Sequence, residues 1–414
     1  MTVRWITPDL GTAPASDVEG GGDLVLIDVR EFVDRAGNNP EALHTKIRAG
    51  AAALSEGRKV VVCCDHGISR SNAVAAGILS LHEHISLDDA VRRVTASTGE
   101  TELRLDVVTA VRRALAGSQT THPARDGKRW LLTGGHGYLG SLLAASAPPD
   151  IKLVRPDRST LDLMAGSVAL DLFVRDQGIS RILHFASPRV GNTNTALAES
   201  LTMLRNLMEV AANQSVPLFL PSRWEVFGGY REALLTANEE TALRPAGILG
   251  DTKFLQESLV RTWSEQGLAE VTIFRSGLVF GQGSAPNFIR NYIRKAVSGT
   301  PIVTHVYENG EPLLDLMSAG DWADACWALL RSTKTGIFQA GGGGLTGTGR
   351  IAEMIAMLCG RECKIEQLSI EGKAANVRLD FGKLSHMTGW QPSRPVEEQL
   401  ADFIGMACRD RTFG

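Results

Sequence analysis

The sequence predicts an α/β protein in two parts, a smaller N-terminal α/β domain followed by a doubly wound parallel sheet. Three observations predict it. Strand-like and helix-like segments alternate along the chain. Two apolar strands, at 59–64 and 129–133, each run through a glycine-containing loop into an apolar helix. A polar stretch without periodicity, AGSQTTHPARDGKR at 116–129, separates the two patterns. The expected boundaries are 1–117, a linker at 118–128, and 129–414.

Composition sets the outer limits. Of the 414 residues, 43% are apolar and 21% charged, enough apolar mass for packed cores. The net charge of −3 gives no electrostatic case for nucleic acid or an anionic membrane as partner. There is no apolar run of about 18 residues, and the opening MTVRWITPDL lacks an apolar core, so a cytoplasmic address is expected. For such a chain, Cys63, Cys64, Cys326, Cys359, Cys363 and Cys408 are expected as small buried residues rather than disulfides. Cys359 and Cys363 lie four apart, but no histidine or second cysteine pair accompanies them, so no metal is expected.

In the first part, DLVLID (23–28) and KVVVCC (59–64) read as buried strands. Leu43, Ile47, Ala51 and Leu54 share one helical face, and 71–84 reads as a helix. Between the second strand and that helix lies CDHGISRS, Cys64 to Ser71. A loop in this position curls its amides around one phosphate. Asp65, His66, Gly67, Ile68, Ser69 and Arg70 would form that cradle, with Gly67 permitting the curl and Arg70 forking two oxygens. Cys64 at its floor would be favoured as thiolate and attack phosphorus, with Ser71 hydrogen-bonding the leaving sulfur. The reaction also needs a general acid for the leaving oxygen.

The segment resembles the active-site loop of the tyrosine and dual-specificity phosphatases. Their signature of cysteine, five residues, arginine and serine or threonine is met at Cys64, Arg70 and Ser71. Cys63 stands where that family has histidine. The resemblance implies a dual-specificity phosphatase-like domain with a phosphocysteine intermediate on Cys64 and a general acid on an upstream loop, Asp34 ahead of Asp28, which falls at a strand end.

In the second part, strand RWLLT leads into GGHGYLG and an apolar helix. Gly134, Gly137 and Gly140 serve a tight turn, close approach of a pyrophosphate, and helix-on-strand packing, the pattern of a dinucleotide-binding Rossmann-type fold. The segments TGGHGYLG, RILHFAS, SRWEVFG, GDTKFLQE, RSGLVFGQG and GIFQAGGG resemble, in order, the extended short-chain dehydrogenase/reductases, the epimerases and dehydratases of nucleotide sugars. The resemblance spans most of 129–405 and implies a smaller C-terminal substrate lobe. It also implies cofactor contacts from Gly134, Gly137, Tyr138, Leu139, Gly140, Ala186 and Lys253, with Asp162 near the adenine. Arg155 or Arg158 would favour NADP through a 2′-phosphate, whereas Asp157 would favour NAD. NADP is preferred.

The catalytic positions depart from that family. Its serine/threonine position is Arg223, one after Ser222, and its tyrosine position is Leu249; only Lys253 matches. None of the four tyrosines, Tyr138, Tyr230, Tyr292 and Tyr307, has a lysine four residues on. Leucine transfers no proton, so tyrosine-dependent reduction is expected to be impaired. The expected function is a bifunctional or pathway-dedicated enzyme, a Cys64 phosphatase coupled to an NAD(P)-binding domain that handles a phosphorylated sugar or nucleoside. The alternative is a phosphoprotein phosphatase with a redox-inactive dinucleotide-binding sensor or scaffold. The partner would be a phosphorylated small molecule, with a homodimer compatible with the fold.

Overall fold

Three consecutive valines, Val60 to Val62, are fully buried in the middle strand of the first sheet, because β-branched side chains fit a surface covered on both faces. The structure is a computed structural model that describes residues 3–19, 21, 23–101, 103–116, 127–188, 191–283, 288–359 and 363–409. Most of the expected linker at 118–128 lies outside the described residues. The chain packs as two compact units. One comprises 1–127, 158–180 and 205–216, the other 128–157, 181–204 and 217–414.

The first unit contains β1 (Arg4–Trp5), β2 (Leu10–Pro14), β3 (Leu24–Asp28), α1 (Pro40–Ser55), β4 (Lys59–Cys64), α2 (Arg70–Glu83), α3 (Leu87–Thr98) and α4 (Leu105–Ala116). Its sheet order is β1-β2-β4-β3, with β2 and β3 parallel to β4. DLVLID is therefore an edge strand in which only Ile27 is buried, which corrects the expectation of a buried one. Asn39 caps α1 by accepting from the Glu41 amide, with Pro40 at the first turn. Leu43, Ile47, Ala51 and Leu54 face inward as their spacing predicts. A side chain at Gly77 would stand 2.8 Å from Ile47, so glycine lets α1 and α2 approach closely.

Two later segments belong to the same unit. The buried Asp171 accepts from Asn213 at 2.9 Å and Gln214 at 2.7 Å, and Asn213 in turn accepts from Thr109 of α4 at 2.7 Å. This chain of bonds joins 158–180 and 205–216 to the first unit.

From β5 onward the elements are β5 (Arg129–Thr133), α5 (Tyr138–Ala145), β6 (Lys152–Val154), α6 (Ser167–Asp176), β7 (Arg181–His184), α7 (Asn194–Gln214), β8 (Leu218–Arg223), β9 (Leu235–Ala237) and α8 (Gly247–Glu265). Then come β10 (Val271–Ser276), β11 (Leu278–Phe280), α9 (Phe288–Ser298), β12 (Ile302–Val306), β13 (Leu313–Ser318), α10 (Ala319–Ser332), β14 (Gly336–Ala340) and β15 (Leu345–Gly347). The chain closes with α11 (Thr348–Leu358), β16 (Ile365–Ser369), β17 (Val377–Leu379), α12 (Gly382–Thr388) and α13 (Val396–Arg409).

The second unit is built on a six-stranded parallel sheet of order β14-β10-β8-β7-β5-β6, the doubly wound arrangement expected. Its core packs Leu132, Leu183, Phe219, Phe274 and Phe338 with Trp322 and Trp327 of α10. Lys383 of α12 donates to the Ile337 carbonyl of the outer strand β14 at 2.7 Å and lies 4.6 Å over Phe338. A smaller lobe holds β11-β13-β17-β9 with β15 on β13, a β12–β16 pair, and a core shared by α9, α11 and α13.

The cysteine expectation fails at one pair. Cys359 and Cys408 form a disulfide across a sequence separation of 49, bridging the ends of α11 and α13. Helix packing brings together two sulfurs that no local pattern connects. Cys63, Cys64 and Cys326 are buried free thiols as expected, and Cys363 is half-buried.

A closed loop of this length restricts the unfolded chain, so reduction of Cys359–Cys408 is expected to lower stability by about 2–4 kcal/mol. Urea unfolding with and without a reductant measures it, and a Cys408→Ser variant should be insensitive to the reductant.

Candidate functional site

Cofactor geometry in the second unit starts at the turn after β5. Gly134 has φ +66°, and a side chain there would lie 2.5 Å from the Phe185 carbonyl carbon and the Ala186 amide. Only glycine fits. A side chain at Gly140 would sit 2.3 Å from the Gly134 carbonyl oxygen, so α5 starts hard against the turn. Thr133 Oγ1 meets His184 Nδ1 at 2.9 Å and accepts from the Ala186 amide at 3.3 Å, binding the ends of β5 and β7 together. His184 is buried, its Nε2 has no partner, and burial together with the charge of Lys253 pushes it down to about 3. It is therefore neutral. A cradle without room for side chains at the turn fits a dinucleotide pyrophosphate.

Arg155 donates from Nε to the Gly135 carbonyl at 3.1 Å and also bonds it through Nη2, so the guanidinium braces the turn. Tyr138 has a buried hydroxyl without a partner, pushed up to about 12 by burial, beside Gly281. Leu139 packs on the unit's core. Asp162 belongs to the first unit, where it accepts from the Met164 amide and ion-pairs with Arg158 at 3.7 Å.

Lys253 lies half-buried on α8. Its Nζ donates to the Pro221 carbonyl at 2.9 Å and to Gln256 Oε1 at 3.0 Å. Burial first, then the charge of Arg223, brings it down to about 8, against the pull of Glu257 and Glu225. Leu249, one turn earlier, is 41% exposed, and its side chain lies against Gly191. Arg223 is closed on Glu225 by two bonds, at 2.5 and 3.1 Å. Ser222 donates to Glu257 at 2.5 Å, and Arg275 grips the same carboxylate at 2.7 and 3.1 Å, all three side chains being buried. Tyr230 donates to the Ala242 carbonyl at 2.9 Å beneath Arg244, and so makes no bond to the Lys253 cluster.

Glu225 also lines a cavity of about 220 Å³, together with Trp224, Arg231, Tyr307, Leu314 and Lys373. Arg231 donates to the Gly228 carbonyl at 3.3 Å, and Lys373 ion-pairs with Glu232 at 3.0 Å.

In the first unit, the Cys64–Ser71 loop does curl as the spacing predicts. Gly67 has φ +66° and donates its amide to Cys64 Sγ at 3.2 Å, and the thiol donates to Ser71 Oγ at 3.4 Å. His66 is exposed; Ile68 accepts at its carbonyl from Asn72, and Ser69 Oγ from the Arg104 amide. Arg70 is otherwise engaged. It ion-pairs with Asp65 at 2.5 Å and Asp34 at 3.0 Å, and donates to the carbonyls of Phe32 and Arg30. Asp28 pairs with Arg30 instead, and Arg30 holds its carboxyl below the ordinary range.

Residues 130–341, just over half of the chain, match the NAD dependent epimerase/dehydratase family. The chain belongs to this family. A curated relative, dTDP-L-rhamnose 4-epimerase of Burkholderia thailandensis, is 26% identical over 40% of this chain; the chain spans only 47% of that protein's length. UDP-glucuronic acid decarboxylase 1 of Xenopus tropicalis is 24% identical over 67% of this chain and 71% of its own length. In fold, the chain is similar to RMD from Pseudomonas aeruginosa complexed with NADPH, with TM-score 0.58 and 22% identity, covering 67% of this chain and 98% of that one.

Family membership corrects the expectation that the chain's enzyme class is a phosphatase. The match and both relatives point to epimerase and dehydratase-like chemistry instead. In the loop itself, Asp34 and Asp65 ion-pair with Arg70, the arginine that the motif assigned to a phosphate. Among the described residues no group of three metal ligands occurs, and no helix is long and apolar enough to cross a membrane.

Four residues of the second site went unread in the sequence: His184, Glu225, Glu257 and Arg275. Glu257 carried a signal, since it follows Lys253 by four residues on one helix. Arg275 carried none, because it reaches Glu257 only through the pairing of β10 with β8.

His184 binds a proton when unfolded below pH 6.5 but stays neutral when folded down to about 3. The unfolded state therefore takes up the extra proton in that window, and stability falls as pH drops through it, by up to about 1.4 kcal/mol per pH unit. Denaturant unfolding from pH 7 to 4 should show a shallower slope for His184→Gln than for the wild type.

Proposed function

We propose that the second unit binds a nicotinamide dinucleotide and a nucleotide-linked sugar, and acts on the sugar without a tyrosine proton donor. The observation that carries this reading is Lys253. It is anchored to the Pro221 carbonyl of β8, two strands from the one that leads into the glycine turn, with its family spacing intact, while Leu249 fills the tyrosine position. Gly134, Gly137 and Gly140 would hold the pyrophosphate, and Lys253 the hydroxyls of the nicotinamide ribose. When bound, the nicotinamide would accept or return a hydride at the sugar.

Substrate class is supported by two things. The relatives are named for dTDP- and UDP-linked sugars. The small cavity is lined by Arg231 and Lys373, cations that suit a diphosphate, and by Trp224 and Tyr307, rings that suit a base or sugar face. For the cofactor, we favour NADP over NAD. Arg155 ends β6 with its guanidinium already fixed on the turn, and a preorganised cation favours a 2′-phosphate.

Quenching of tryptophan fluorescence should detect both cofactors, NADP the tighter, and Arg155→Ala should weaken NADP by about 1–2 kcal/mol more than NAD. Equal loss for both would leave the preference unsupported, and no quenching with either would overturn the whole reading. A thermal-shift screen with UDP- and dTDP-sugars should raise the melting temperature of the wild type and much less that of an Arg231→Ala, Lys373→Ala variant.

A further inference from the structure

We propose that Lys253 is itself the proton-transferring residue of this site, doing what Leu249 cannot. The inference rests on the reading above and adds the identity of the acid and base.

The charged and titratable groups facing Lys253 are few, and each of the others is excluded by its bonds. Arg223, at the end of β8, is closed on Glu225 of the following turn, and a guanidinium does not release its proton in any case. The Glu225 carboxylate is correspondingly held as the guanidinium's anionic partner rather than as a free base. Glu257, one turn further along α8, is shared between Ser222 and Arg275 of β10 and is sealed from solvent. His184 of β7 is buried and neutral, and Thr133 takes its Nδ1.

Lys253 differs in three ways. It is only half-buried. Its two bonds, to the Pro221 carbonyl and Gln256 Oε1, leave one ammonium N–H for a bound molecule. It also lies one turn from Leu249 on the same helix face, within the electrostatic reach of Glu225. Its proton affinity, brought down to about 8, suits exchange near neutral pH.

The step balances. In oxidation, the sugar's C–H bond breaks with its electron pair, which passes as hydride to the oxidised nicotinamide. The adjacent O–H bond breaks, its proton goes to the neutral amine of Lys253, and a carbonyl forms. Reduction is the reverse, with the ammonium of Lys253 giving the proton to the new alkoxide. Oxidation should therefore speed up as pH rises through about 8, and reduction should slow.

Two variants test this. Lys253→Arg keeps the positive charge and donors but does not release a proton; Lys253→Met removes both. The first readout needs no substrate. Lysines are reductively methylated with ¹³C-formaldehyde, the signal missing in Lys253→Arg is assigned to Lys253, and its titration is followed by NMR. A midpoint near 8 is expected, and one at the ordinary lysine value overturns the proposal.

The second readout uses NAD⁺ or NADP⁺ with UDP-glucuronic acid and dTDP-glucose, following absorbance of the reduced nicotinamide. At cofactor concentrations shown to be saturating by tryptophan quenching, Lys253→Arg should turn over at least about 10²-fold more slowly and lose the alkaline rise. An Arg variant that keeps the rate or the rise overturns the proposal. So does a wild type that binds cofactor and sugar nucleotide but never transfers hydride, an outcome that leaves the binding reading intact. Absence of cofactor binding overturns both.

Discussion

A carboxylate with no exposure to water organises the second unit's site. Glu257 gathers Ser222 from β8, Arg275 from β10 and its own helix α8 into one bonded cluster, with the Arg275 guanidinium 5.3 Å over the Phe227 ring. A buried ion pair of this kind adds little net stability, but loss of one partner strands a charge away from water. Its value is positional. Lys253 sits one turn before Glu257, so the cluster fixes where the ammonium stands relative to β8. The Pro221 carbonyl that Lys253 reaches belongs to the same strand as Ser222. Helix, strand and lysine thus share a single anchor.

Legibility in the sequence followed the distance over which each feature is encoded. The glycine turn was readable because Gly134, Gly137 and Gly140 lie within seven residues and each answers to a local steric demand. The parallel sheet was readable because alternating strands and helices leave few other ways to pair. The empty tyrosine position was readable from Leu249 and Lys253 alone. What escaped depends on packing. Arg275 meets Ser222 and Glu257 through strand register, and Cys359 meets Cys408 through the packing of α11 on α13. That 158–180 and 205–216 join the first unit depends on Asp171, whose partners Asn213 and Gln214 lie more than 40 residues away. The edge position of β3 depends on the order of the sheet, which the apolar run in DLVLID does not encode.

The Cys64 loop teaches a different lesson. Its curl, its positive-φ glycine and its amide-to-sulfur bond all follow from the spacing of cysteine, glycine and arginine. The chain's enzyme class did not follow, because residues 130–341 match the epimerase/dehydratase family. Arg70 carries the same charge whether it holds a ligand or two neighbouring aspartates, and here Asp34 and Asp65 hold it. A short motif specifies a backbone shape more reliably than it specifies chemistry.

One consequence of the lysine on the outer strand lies outside the site altogether. A parallel sheet of six strands has two open rims, and an open rim invites another chain to add a strand. At one rim β6 is only three residues long, too short to template much pairing. At the other, Lys383 occupies the Ile337 carbonyl and lays its ammonium across Phe338. Both features leave less free backbone at the rims for an added strand to pair with.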